Sequence, residues 1–177
     1  ATKLWNASRF CEMNECRHAS DFEPARVENV LNRWIVTELV DTKARYEQAM
    51  RAYKFNEVAE TIYHFIWGTF CDWYLELVKP LLYSDNQDES LRDECRQTAS
   101  WVLHQIYIML NPVMPFITEI LHAHLHARDE NDLLIQASWP DYPDTLRDPK
   151  AQEEINWLIA AISQIRSVRA DMNVPAG

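Results

Sequence analysis

Lys3, Asn6, Arg9 and Phe10 bring an ammonium, an amide, a guanidinium and an aromatic ring into one short stretch, KLWNASRF. Read as a helix, each residue advances by about 100°, so Lys3 and Phe10 lie nearly one above the other with Asn6 between them. Leu4, Ala7 and Cys11 form the apolar stripe of a different face. A helix that already has a stripe to bury has no packing need for a phenylalanine beside a lysine and an amide. Two readings are open. Either that face touches a partner, or Phe10 packs beneath residues 21–23 and Lys3 is merely solvated.

The other chemistry-bearing residues group poorly. A carboxylate-bridged di-metal bundle needs Glu-x-x-His on two helices, and Glu119-x-x-His122 has no counterpart elsewhere in the chain. His122, His124 and His126 alternate, so on a helix only His122 and His126 share a face, and the stretch reads as a solvated helix end. Cys11, Cys16, Cys71 and Cys95 have neither disulfide-framework nor zinc-knuckle spacing and read as reduced thiols packed as small hydrophobes. No nucleophile sits in a recognisable catalytic spacing. The expectation is a domain with no catalytic residues, no metal and no cofactor of its own.

Composition narrows the class. Of 177 residues 47% are apolar, enough for a substantial core, and only two are glycine, which excludes phosphate-cradling loops and dinucleotide fingerprints. No apolar run approaches the roughly 18 residues of a membrane span. The N-terminus has neither an apolar secretory segment nor a methionine, so the chain reads as a single domain, 1–177, excised from a larger cytoplasmic protein. The net charge of −10 opposes non-specific nucleic-acid binding. Residues 1–11, however, carry Lys3 and Arg9 and no acid, which leaves −12 on the remainder.

The elements that must position these residues are helical nearly throughout. Six helices are expected: 2–16; one opening at Pro24 and reaching about Tyr53; one capped by Asn56 and stopping at Lys79-Pro80; one after a polar loop at 83–89, ended by Asn111-Pro112; one from Pro115 to about His126; and one from Asp148-Pro149 to Pro175. The last carries Ile155, Leu158, Ile159, Ile162, Ile165 and Val168 as its stripe. Phe70, Trp73 and Leu77 follow core spacing, leaving Asp72 and Glu76 to pair with basic groups on other helices. Between about 131 and 145 the pattern lapses into an extended excursion in which Trp139 covers the core. The fold class is an all-α bundle.

Five stretches in this order, KLWNASRF (3–10), FIWGTFCDWYLELVKP (65–80), NPVMPFITEIL (111–121), SWP (138–140) and IRSVRADMNVP (166–175), resemble the anticodon-binding helical domain of the valyl-tRNA synthetases, among class I aminoacyl-tRNA synthetases. The resemblance covers essentially the whole chain, and FCDWYLE and MNVP favour the valine enzymes over the isoleucine and leucine ones. It implies that the first helix approaches the anticodon loop of tRNA(Val) with Lys3, Arg9 and Phe10. Asn6 is added here as a reader of a base edge, and Arg166 and Arg169 as support for the RNA backbone or as structural contacts. The His-Ile-Gly-His and Lys-Met-Ser-Lys-Ser signatures are absent, so the resemblance puts ATP, with its magnesium, in a separate catalytic domain. That catalytic domain and the tRNA are the partners implied, for a monomer free of membranes. The competing expectation is a helical protein-interaction module indifferent to RNA.

Overall fold

The computed structural model describes residues 1–17, 21–84, 88–125 and 131–174. Among them there is no strand, and the helices are α1 (Thr2–Met13), α2 (Val30–Arg51), α3 (Phe55–His64), a π-helical segment (Phe65–Tyr74), α4 (Leu75–Tyr83), α5 (Glu89–Leu110), α6 (Pro115–Leu125) and α7 (Pro149–Asp171). The rod from α3 through the π segment to α4 is continuous, so six helical bodies form the all-α bundle. The expected ends at His126 and Pro175 lie outside the described residues.

Most differences from the expected boundaries have identifiable causes. Pro24 opens only a 3₁₀ turn (Pro24–Arg26), and α2 begins at Val30. The reason is the carboxylate of Glu94 on α5, which accepts from the backbone N–H groups of Glu28 (3.1 Å) and Asn29 (3.0 Å). Asn29 then caps the helix by accepting from Leu31 N–H at 2.9 Å. Asn56 is not a cap, because α3 already begins at Phe55 with Lys54 in the N-cap position. Pro80 does not stop its helix: α4 continues through it to Tyr83, with Val78 and Leu82 buried on either side. A proline costs one helical hydrogen bond there, and burial of the flanking side chains outweighs that loss.

α1 and α2 end in left-handed residues, Glu15 (φ 57°) and Tyr53 (φ 56°), where glycine is usual. In each case the following N–H reaches back five residues, Cys16 to Cys11 O (2.9 Å) and Lys54 to Ala49 O (3.0 Å). α1 therefore stops three residues before the expected 16.

The rod has a second departure. Among its buried residues, Val58, Ile62, Ile66, Phe70, Tyr74, Val78 and Leu82 recur every four positions. Four residues of an α-helix turn through about 400°, so such a stripe would wander off the core by about 40° per step. The wider π turns take up this drift. Trp73 and Leu77, expected in the core, are only half-buried, and Tyr74 and Val78 take those places.

Tyr74 enters a polar network with no loose ends. Its hydroxyl donates to Asn32 Oδ1 (2.8 Å), and Asn32 Nδ2 donates to Glu94 (2.8 Å) and Cys95 Sγ (3.4 Å). All four cysteines are buried with free thiols. Segment 131–148 is extended apart from 3₁₀ turns at Leu134–Gln136 and Asp144–Leu146. Trp139 lies over buried Tyr46, ring centroids 5.2 Å apart, and donates to Glu47 at 2.9 Å. In α7 only Ala151 and Ile155 are fully buried; Leu158, Ile159 and Ile162 are half-buried, and Ile165 and Val168, expected on the inward stripe, are exposed in its distal half.

Candidate nucleic-acid interface

α1 is seated by the stripe read from the sequence: Leu4, Ala7 and Cys11 are buried, joined by Ser8. Ser8 Oγ donates to Leu4 O at 2.8 Å and so accepts from the Tyr107 hydroxyl of α5 at 2.5 Å. This fixes the rotation of α1 about its axis. Asn6 and Arg9 are thereby exposed, and Lys3 and Phe10 half-buried.

Lys3, Asn6, Ala7 and Phe10 form one wall of a groove of about 360 Å³; Cys71, Asp72, Leu75, Glu76 and Lys79 form the other. Lys3 Nζ pairs with Asp72 Oδ1 and donates to the Trp67 carbonyl at 3.4 Å. Across the groove the Lys79 ammonium pairs with Glu76 at 2.5 Å and stands 5.8 Å from the centroid of the Phe10 ring. Asp72 therefore does pair with another helix, as expected, whereas Glu76 pairs within its own. Burial pushes the Cys71 thiol up to about 11, against the pull of Lys3, so it stays protonated at neutral pH. Phe10 does not lie beneath residues 21–23: Phe22 packs toward Trp101 instead, at 5.8 Å.

The structure brings Lys3, Asn6 and Phe10 together and leaves Arg9 beside Asn6, outside the groove's lining, with no ion pair among the described residues. Arg166 is elsewhere, stacked on Trp73 at 5.1 Å, and Arg169 is exposed in the last turn of α7. Lys79 was missed by sequence reasoning. Only its spacing of three from Glu76 was visible, and nothing local tied either residue to a helix nearly seventy positions earlier.

Glu119 and His122 are both engaged in holding segment 131–148. The carboxylate of Glu119 accepts from Leu134 N (2.9 Å) and Ile135 N (2.8 Å), and His122 Nε2 lies 3.1 Å from Asp132 O. His122 is not a solvated helix-end residue, since it is buried against His104, ring centroids 5.2 Å apart. His124 is exposed, and His126 lies outside the described residues. No cluster of three or more side chains that could hold a metal ion occurs among the described residues.

Residues 32–177 match the family model described as the anticodon-binding domain of tRNA ligase. The chain is 47% identical over 176 residues to a valine–tRNA ligase of Caulobacter vibrioides, with 98% of the chain aligned. It is 46% identical to those of Bartonella quintana, over its whole length, and Agrobacterium fabrum, over 99% of it. It spans only 18–19% of the length of these relatives.

Proposed function

The chain belongs to the family of anticodon-binding domains of tRNA ligases, and on that premise we propose that it is the anticodon-recognition domain of a valine–tRNA ligase, binding the anticodon stem-loop of tRNA(Val). Charging of the tRNA with valine, and the ATP and magnesium it uses, belong to a catalytic domain outside this chain, which itself performs no chemistry. The parent protein acts in the cytoplasm as a monomer.

The observation that carries the reading is the groove beside α1. Anticodon bases are unpaired, so their faces can stack on an aromatic ring and their edges can meet hydrogen-bonding side chains. Phe10 supplies the ring, Asn6 an amide that both donates and accepts, and Arg9 an exposed cation for the backbone. These stand on one face of one helix, and that helix is fixed by its own buried stripe. The stacking of Arg166 on Trp73 supports the structural alternative for that residue, with the RNA-facing role of Arg169 left to the same binding assay.

Replacing Phe10 by Ala tests this in the full-length ligase. Loss of a stacked base costs about 1–3 kcal/mol, up to roughly a hundredfold in affinity for tRNA(Val). Amino-acid activation without tRNA should stay at the wild-type rate. If Phe10 were instead ordinary core, truncation would cost about 3–5 kcal/mol of stability and the protein would melt much earlier. Normal charging by a variant that melts normally would favour a protein-interaction module that ignores RNA.

A further inference from the structure

We infer that Asp72 and Glu76 decide what the groove accepts: the uncharged face and edge of an unpaired nucleobase, with backbone phosphate held outside by Arg9. This rests on the anticodon reading above and concerns the same site. The lining carries four charged groups, Lys3, Asp72, Glu76 and Lys79, and they balance. Each ammonium is bonded to a carboxylate, Lys3 to Asp72 and Lys79 to Glu76. Cys71 adds no charge, because its thiol is protonated at neutral pH.

A phosphate entering this space would have to displace a carboxylate from its ammonium and then lie beside it. Asp72 and Glu76 each keep 55% of their side-chain surface exposed, so both would face the incoming anion. A base brings no net charge. Its face can rest on Phe10, and its edge, where donors and acceptors alternate, can meet the ammonium of Lys3, the amide of Asn6 and the carboxylate of Asp72. Asp72 is thus a positioning residue, holding Lys3 to the wall as an edge donor and withholding it from the backbone. Arg9 is exposed and has no carboxylate partner among the described residues, so it is the cation left for phosphate.

The number of phosphates neutralised sets the salt dependence of binding, about 0.7 in the slope of log affinity against log salt for each contact on single-stranded RNA. The experiment is a salt titration of full-length ligase against the tRNA(Val) anticodon stem-loop and one with a changed anticodon, with melting measured for every variant. Arg9→Ala should lower the slope by about 0.7. Lys3→Ala should weaken binding several-fold with the slope unchanged. Asp72→Asn, which keeps the shape and removes the charge, should raise the slope by about 0.7 and narrow the preference for the correct anticodon; Asp72→Glu should keep the wild-type slope. If Lys3→Ala lowers the slope as much as Arg9→Ala, or Asp72→Asn leaves slope and preference alone, the inference is wrong while the anticodon reading stands. No stem-loop binding by the wild type, or undiminished binding by Phe10→Ala, overturns that reading and this inference with it.

Discussion

The attachment of segment 131–148 to α2 and the groove beside α1 use the same kinds of side chain to opposite ends. Along α2, Arg147 pairs with Asp41 at 2.7 Å and with Asp144, and Arg33 pairs with Asp148. Asp148 also accepts from Lys150 N and Ala151 N at 3.0 Å each, and its own N–H donates to Thr37 Oγ1 at 2.9 Å. Gln152 donates to Glu38 (3.0 Å) and Asp41 (3.2 Å). Further along α2, Glu47 holds Lys43 at 3.0 Å and the indole of Trp139. These groups spend their hydrogen-bonding capacity on other parts of the chain, and Asp148 is only 14% exposed. The groove's pairs are simpler, more exposed, and arranged around a ring. A cluster whose capacity is used up internally fastens; one that keeps solvent contact beside an aromatic face can receive a ligand.

The sharpest way to break this distinction is Asp148→Ala. It removes the cap of α7 and the partner of Arg33, and should cost about 2 kcal/mol of stability. In a chain of this size that lowers the melting temperature by about 4–8 °C. RNA affinity should not change; a parallel loss would mean that the two clusters act as one. Asp72→Ala should show the reverse pattern. An exposed ion pair contributes about 0–1 kcal/mol, so melting should shift by no more than about 2–4 °C while the salt dependence of binding shifts. A larger drop would place the Lys3–Asp72 pair among the fasteners.

The smallest effect expected is acid sensitivity at Glu47. Burial alone would raise its pKa, but the bonds from Lys43 and Trp139 outweigh burial and hold it below the ordinary carboxylate value. A depressed folded-state pKa means that this contribution is complete above the unfolded value and is lost as pH falls through the folded one. Melting temperatures measured down the acid limb should show a loss that Glu47→Gln abolishes. An unchanged acid limb in that variant would remove Glu47 from the account.

What could be read beforehand follows the range of the forces concerned. The stripe of α1 and the start of α7 at Asp148-Pro149 were legible because periodicity and capping act within a few residues. The ends of α1 and α2 were not, because Glu15 and Tyr53 occupy positions where glycine would have marked the stop. α2 begins at Val30 through a carboxylate on α5, which no local pattern announces. The site divides the same way. Lys3, Asn6 and Phe10 were found on one face because helical geometry places them there, whereas the opposing wall is made by tertiary packing.

The π segment makes that opposing wall and the core parts of one screw. Val78 faces inward and Lys79, its neighbour in sequence, faces the groove. Deleting one residue between 65 and 74 would shift everything after it by one position, about 100° around the rod. Glu76 and Lys79 would swing away from Phe10 in the same motion that pulled Val78 and Leu82 off the core. At unchanged pitch, an insertion or deletion there would therefore disturb groove and core together, whereas a substitution changes one side chain at a time. Exchanging a side chain on the groove face leaves that thread, and with it the inward face, where it is.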